Sequence, residues 1–185
     1  MVLPRKTIQE EQPLAPGYTW APYNPDLRQP WARLMVETGL VKDEEAGLAQ
    51  WDKMEQEDPE KLREHFRFIL GPDNDLAATA GLFPGHDFPG RLRLHWVATS
   101  LNHQHKGLAR TLITALAREY DAMPGSYPLY LSTQSQSYGA IKLYSRLGFQ
   151  PYMGAYEGHT REQSEEDWKT VTDILRQTEE NSRTR

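Results

Sequence analysis

Two stretches of this 185-residue chain combine residue types and spacings suited to chemistry. The first is Gln104-His105-Lys106-Gly107-Leu108-Ala109-Arg110, lying between an alternating segment, Arg91 to Thr99, and an amphipathic run through Leu108, Leu112, Ile113 and Leu116. A helix that starts here exposes backbone N–H groups carrying partial positive charge, and small residues at 107 and 109 let a phosphate approach that backbone. The stretch has neither the Gly-Lys-Ser/Thr of Walker-type magnesium chemistry nor Gly-x-Gly-x-x-Gly, so nucleotide hydrolysis and Rossmann-type dinucleotide binding are disfavoured. Taken alone, a Gly-x-Ala turn serves tight packing more often than anion binding. The second stretch is Ser137-x-x-Ala140-x-x-x-Tyr144-x-x-x-Gly148-Phe149. Its spacing puts Ala140 and Tyr144 on one helix face, with Gly148 as the stop and Phe149 opening a strand.

The charge distribution supports an anion partner for the first stretch. The chain is acidic overall, with a formal charge of −5, yet residues 91–156 carry 7 basic and 2 acidic side chains. Arg91 to Arg118 contains no carboxylate at all. Positive potential is thus concentrated around the helix start, as a polyanion pocket or as solvated helix faces. The overall acidity argues against broad nucleic-acid binding. Zero cysteines exclude disulfides, thiolate metal sites and a Cys nucleophile. His103-x-His105 has two metal-ligating side chains but no identifiable third ligand, so no metal is expected. No apolar run approaches the roughly 20 residues of a membrane span, and the first residues lack the apolar core of a secretory signal. A cytoplasmic protein with no membrane partner is the expectation.

The elements that must hold these stretches follow from periodicity. A lead-in of about fifteen residues reads as poorly ordered, and Tyr18 to Tyr23 as a short edge strand. Asp26 to Thr38 reads as a helix with Asp26 as its cap, and Asp43 to Glu57 as a second. A short helix after Pro59 leads to strands at His65–Leu70 and Leu76–Phe83 around a Gly-Pro-Asp-Asn-Asp turn, then to the central strand at 91–99. A helix from 108 to about 120, a strand at Leu129–Thr133, a helix at Ser137–Arg146 and a strand at Phe149–Tyr156 follow. A terminal helix over Ser164–Gln177 would be capped by Ser164, and its apolar stripe, Trp168, Val171, Ile174 and Leu175, would pack on its own domain or pair with a second subunit. A monomer or homodimer is expected.

In these two motifs the chain resembles the GNAT acyltransferase family. The family's phosphate-binding pattern, Gln/Arg-x-x-Gly-x-Gly/Ala, is matched by Gln104, Gly107 and Ala109. Its later Asn-x-x-Ala-x-x-x-Tyr-x-x-x-Gly-Phe pattern is matched except that Ser137 stands for Asn. The resemblance covers residues 66–153 well and 18–65 by element order. It implies an α/β fold, the GNAT fold, with a mixed central sheet, a splayed parallel strand pair and flanking helices. The domain would run from 16 to 160, after the lead-in 1–15 and before a C-terminal helical extension, 161–185. It also implies acetyl-CoA as acyl-donor co-substrate. The backbone of Val97, Ala98 and Thr99 would pair with its pantetheine arm, and the N–H groups of His105, Lys106, Gly107, Leu108, Ala109 and Arg110 would hold its pyrophosphate. Gln104 belongs to the same motif, and Ser137 would bond the cofactor arm or simply cap its helix.

By the same resemblance, Tyr144 would be the general acid that protonates the departing thiolate, and a backbone N–H near Val97 would stabilise the oxyanion. The strand position where some relatives carry a Glu base is Ser132 here. Period-2 alternation would place His95 on the face of Val97, and an imidazole with an ordinary pKa near about 6.5 suits proton removal. The expected function is N-acetyl transfer from acetyl-CoA to a primary amine of a small molecule. The alternatives are a protein N-acetyltransferase and a CoA-binding sensor or scaffold that has lost turnover. A nucleic-acid binder would be a third class.

Overall fold

The computed structural model describes residues 1–4, 10, 12–88, 90–123, 128–134, 137–156 and 158–183. In chain order the elements are β1 (Val2–Leu3), β2 (Thr19–Ala21), α1 (Arg28–Glu37), α2 (Glu44–Glu57), α3 (Pro59–His65), β3 (Phe66–Leu70) and β4 (Leu76–Pro84). After these come β5 (Leu92–Thr99), α4 (Leu108–Ala122), β6 (Leu129–Tyr130), α5 (Tyr138–Arg146) and α6 (Arg161–Arg183). Single 3-10 turns occupy Pro25–Leu27 and Leu101–His103. The chain forms two compact units, one of Ile8–Phe83 and Leu92–Pro124, the other of Met1–Thr7, Pro84–Arg91 and Gly125–Arg185.

In the first unit β2, β3, β4 and β5 lie side by side. β2 pairs antiparallel with β3, and β3 with β4 in the register Phe66↔Gly81 to Leu70↔Leu76. Gly81 is demanded by this register, because a Cβ there would lie 2.3 Å from the Phe66 ring. β4 is buried from Leu76 through Phe83, whereas β5 is mostly half-buried, so β4 is the strand covered on both faces. Helices α1 and α2 are held together by a bidentate Arg28–Asp52 pair, both bonds 2.6 Å. Between helices and sheet lies an aromatic core in which Trp31 meets Trp51 at 5.6 Å and Trp96 at 5.4 Å between ring centroids. Trp31 and Trp51 are fully buried, and truncating such a side chain typically costs roughly 3–5 kcal/mol.

Asp43 caps α2 as its place before an acidic first turn implies, accepting from the Ala46 N–H at 2.8 Å. Asp26 does not cap the preceding helix. Asn24 caps the 3-10 turn instead, accepting from the Asp26 N–H, because Pro25 fixes the first turn one residue earlier.

In the second unit β1 pairs antiparallel with β6, Val2 opposite Tyr130 and Leu3 opposite Leu129. Within the lead-in expected over 1–15, Met1, Val2 and Leu3 are buried, while residues 5–9 and 11 lie outside the described residues. The strand expected at Phe149–Tyr156 reduces to two isolated bridges, Val2↔Gln150 and Tyr156↔His159, since Pro151 has no N–H to continue the ladder. The strand expected at 129–133 ends at Tyr130. Ser164 is not the cap of α6. Thr160 Oγ1 accepts from the Gln163 N–H while Gln163 Oε1 accepts from the Thr160 N–H, a reciprocal capping box whose cap lies four residues upstream. Ser164 instead donates to the carbonyls of Gly154 and Thr160.

Candidate functional site

The first unit carries the anion cradle. β5 ends at Thr99, the 3-10 turn follows, and α4 begins at Leu108. The N-cap is Gly107 at φ +79, a left-handed conformation that only glycine adopts without strain. His105 is also left-handed, at φ 61, so the chain between 105 and 107 curls into a concave run of amides. No side chain caps α4 and its first turn holds no acid, so the N–H groups of Leu108, Ala109 and Arg110 lack helical and side-chain acceptors alike. A Cβ on Gly107 would meet nothing within 4 Å. Gln104, His105, Lys106 and Arg110 are exposed, and Lys106 and Arg110 make no ion pair among the described residues. The partial positive charge of the helix end thus lies in a stretch that also carries two exposed cations, Lys106 and Arg110.

Glu37, Ser100, Asp75 and Tyr18, which the sequence did not single out, hold this loop in place together with His103. Ser100 Oγ donates to Glu37 at 3.0 Å and the Leu101 N–H donates to the same carboxylate at 2.8 Å. His103 is buried, not a loop-surface residue, and both ring nitrogens are engaged: Nε2 with Asp75 at 2.8 Å, Nδ1 with the Tyr18 hydroxyl at 2.9 Å. A neutral ring donates to the carboxylate and accepts from the phenol. Neither nitrogen remains to bind a metal beside His105. Replacing His103 by Ala strands Asp75 and Tyr18 and unpins the loop. We expect a loss of about 2 kcal/mol, read as a thermal midpoint lower by roughly 5 °C, with weaker coenzyme A binding by calorimetry. A variant that melts like its parent and binds as tightly refutes this positioning role.

β5 departs from the expected alternation. Trp96 has φ 52, and its ring lies 4.7 Å from that of His95, although neighbours in a regular strand point to opposite faces. The pleat is broken at this residue, so His95 and Val97 are no longer placed on one face by period 2. The guanidinium of Arg93 sits 2.8 and 2.9 Å from the two His95 nitrogens. Burial, and secondarily the Arg93 charge, push the imidazole down to about 3. A ring whose pKa lies this low is a weak proton acceptor at neutral pH. Val97 and Thr99 are half-buried and Ala98 is buried; the Thr99 Oγ1 is enclosed with no hydrogen-bond partner.

In the second unit Tyr144 lies on α5, 7% exposed and 5.9 Å from Phe149 by ring centroids. Burial pushes its phenol up to about 12. Ser137 occupies the N-cap position of α5, but its hydroxyl makes no capping bond and is left to other partners. Ser132, where a strand carboxylate was looked for, is exposed and donates to Asp87 at 3.4 Å.

The sequence model of the acetyltransferase (GNAT) family matches residues 17–149. The chain belongs to the GNAT acetyltransferase family. Its fold is the GNAT fold, a mixed sheet flanked by helices. No curated protein matches the chain. Among solved structures it is similar to a GCN5-related N-acetyltransferase from Sphaerobacter thermophilus, with TM-score 0.58 and 18% identity, covering 80% of this chain and 46% of that one. The GNAT chain thus spans less than half the length of that relative. It is also similar to an acetyltransferase of the GNAT family from Staphylococcus aureus Mu50, with TM-score 0.57 and 13% identity over 72% of this chain and 83% of that one. A third is the aminoglycoside N-acetyltransferase AAC(6')-Iy in complex with CoA, with TM-score 0.52 and 16% identity over 72% and 88%. Among the described residues no helix is long and apolar enough to cross a membrane.

Proposed function

We propose that this GNAT protein transfers an acetyl group from acetyl-CoA to a primary amine of a small molecule in one direct step. One observation carries the reading: the open, acid-free helix start at Gly107, with Lys106 and Arg110 beside it, suits a diphosphate. His105 to Arg110 would hold that diphosphate through their N–H groups, with Gln104 completing the motif. Val97, Ala98 and Thr99 would pair with the pantetheine arm, where the enclosed Thr99 hydroxyl also lacks a partner. The Ser137 hydroxyl, unused as a cap, would bond the same arm.

Bound acetyl-CoA supplies an activated thioester. The amine nitrogen bonds to the acetyl carbon, the carbon–sulfur bond breaks, the sulfur takes a proton from Tyr144, the nitrogen sheds its extra proton to solvent, and solvent returns a proton to the Tyr144 phenolate. A backbone N–H at Val97 would stabilise the oxygen that gains charge during attack. His95, held neutral by burial and Arg93, would be at most a weak base.

The serine at 132, where some relatives carry a carboxylate, and Ser137 are what favour the rival reading, a CoA-binding module without turnover. The two are separated by following thiol release from acetyl-CoA with a panel of small primary amines alongside calorimetry of CoA binding. Release with at least one amine, above the rate with water alone, is expected. Tight binding with no release for any amine establishes the sensor; no binding removes both readings.

A further inference from the structure

The first unit contains a cavity of about 470 Å³ at the edge of its sheet, within the roughly 300–1,000 Å³ of ligand pockets. Ala115 of α4 lines it eight residues past Gly107, about 12 Å along the helix axis, so the space is separate from the anion cradle. Rings supply its apolar surface. Trp20 stands on the edge strand β2 and is 40% exposed, Tyr23 follows that strand, and Phe66 opens β3. Guanidinium groups supply its charge: Arg63 comes from the last turn of α3 and Arg67 from β3, and no carboxylate lines the space.

The two arginines are not equivalent. Arg67 is committed, donating from one nitrogen to Glu119, which also bonds His65 Nδ1, and from another to the carbonyls of Glu64 and Phe66. Arg63 makes no ion pair among the described residues, and its guanidinium carbon lies 5.9 Å from the centre of the Tyr23 ring. A cation over a ring face is held there without being neutralised. Glu55, outside the lining, accepts from the Tyr23 hydroxyl at 2.7 Å. Burial, and then that bond, push the phenol up to about 12, so Tyr23 adds a neutral ring to the cavity. Because Glu119 neutralises Arg67, an anion here gains from direct pairing with Arg63 and not from a broad positive field.

A guanidinium pairs with a planar carboxylate through two parallel N–H···O bonds, and ring faces beside it take a flat body by stacking. We propose that this cavity binds a small aromatic carboxylate, its acid group on Arg63 and its ring against Trp20, as a second ligand site distinct from the coenzyme A cradle. An ammonium would meet a like charge, and an aliphatic acid would forgo the rings. The site stands whether or not the chain turns over acetyl-CoA.

The test titrates the full chain in a calorimeter with 2-naphthoate, with the neutral 2-naphthamide, and with cyclohexanecarboxylate, which keeps the charge and lacks the aromatic ring. The naphthoate should bind at least five-fold more tightly than either. Arg63→Gln, a change at an exposed side chain, should bring naphthoate down to the level of the amide and leave the amide within two-fold of its parent value. Trp20→Leu, also at an exposed side chain, should weaken naphthoate and naphthamide alike, about five-fold, and leave cyclohexanecarboxylate unchanged. Saturating coenzyme A should leave the naphthoate affinity within two-fold. Equal binding of acid and amide, or an Arg63→Gln protein that binds naphthoate like its parent, overturns the site. Unchanged binding in Trp20→Leu overturns the aromatic class of ligand, and displacement of naphthoate by coenzyme A puts the acid on the cradle and removes the second site. Naphthoate binding that meets these expectations in a chain that does not bind coenzyme A sinks the transferase reading alone.

Discussion

Gly107→Glu is expected to remove coenzyme A binding, lowering affinity by at least a hundred-fold, while the chain remains folded. Two costs combine at this position. Any L-residue at φ +79 is strained by about 1 kcal/mol, and a carboxylate at the helix start sets negative charge against a diphosphate where the amides favour it. The variant needed to separate them is Gly107→Ala. Its Cβ meets nothing within 4 Å, so it carries the backbone strain without clash or charge, and it should lower stability by about 1 kcal/mol and weaken coenzyme A only several-fold. Calorimetric titration of both variants with coenzyme A, beside thermal melts, reads the two effects independently. If Gly107→Glu binds like its parent, the diphosphate does not sit on this helix start, and the assignment of residues 104–110 falls with it. Lowering salt should tighten parent binding, since Lys106 and Arg110 are exposed and their attraction is screened.

The cradle was legible in the sequence because everything that makes it is local. Small residues at 107 and 109, an alternating strand before them and a 3.6-residue apolar period after them fix a strand, a turn and a helix start within twenty residues. What tethers the cradle was not legible, because it comes from far away in the chain. His103 finds Tyr18 across 85 positions and Asp75 across 28, and no spacing rule links such residues. The positive φ at Trp96 had no signal either, since a bulky residue gives no hint that it will leave the pleat, and the period-2 inference for His95 failed at that point. Toward the chain ends the pattern misled in two directions. The apolar start, Met1-Val-Leu, is a strand only because β6 and Gln150 supply its partners. The aromatic alternation after Phe149 looks like a strand but meets Pro151, and its tyrosines instead wall a cavity with Phe88. Thr160-x-x-Gln163 carried the capping-box signature of α6, overshadowed by Ser164 and the acids behind it.

Tyr144→Phe is expected to lower kcat by about a hundred-fold, roughly 2.7 kcal/mol of barrier, with the KM for acetyl-CoA nearly unchanged. Burial disfavours the phenolate and pushes its pKa up to about 12, so the proton is in place throughout the pH range in which an amine can attack, while the phenol is a weaker acid than a free tyrosine and must act as the thiolate forms. Phe keeps the ring that packs near Phe149 and removes only the hydroxyl, so stability should change little and a loss of rate cannot be laid to unfolding. The sign of the pH dependence follows from the same shift. Because the folded pKa lies above the ordinary value near 10, the neutral phenol's contribution to stability is complete below about pH 10 and is lost as pH rises through about 12. Activity should accordingly rise with pH as the amine loses its proton, and show no alkaline fall from Tyr144 before about pH 10. Acyl donors are a further control: the loss in Tyr144→Phe should shrink for thioesters whose thiols are more acidic than that of coenzyme A, because a better leaving group needs less help from a proton. A variant that turns over at the parent's rate with every thioester would show that the sulfur takes its proton from solvent, and that Tyr144 is a packing residue of α5.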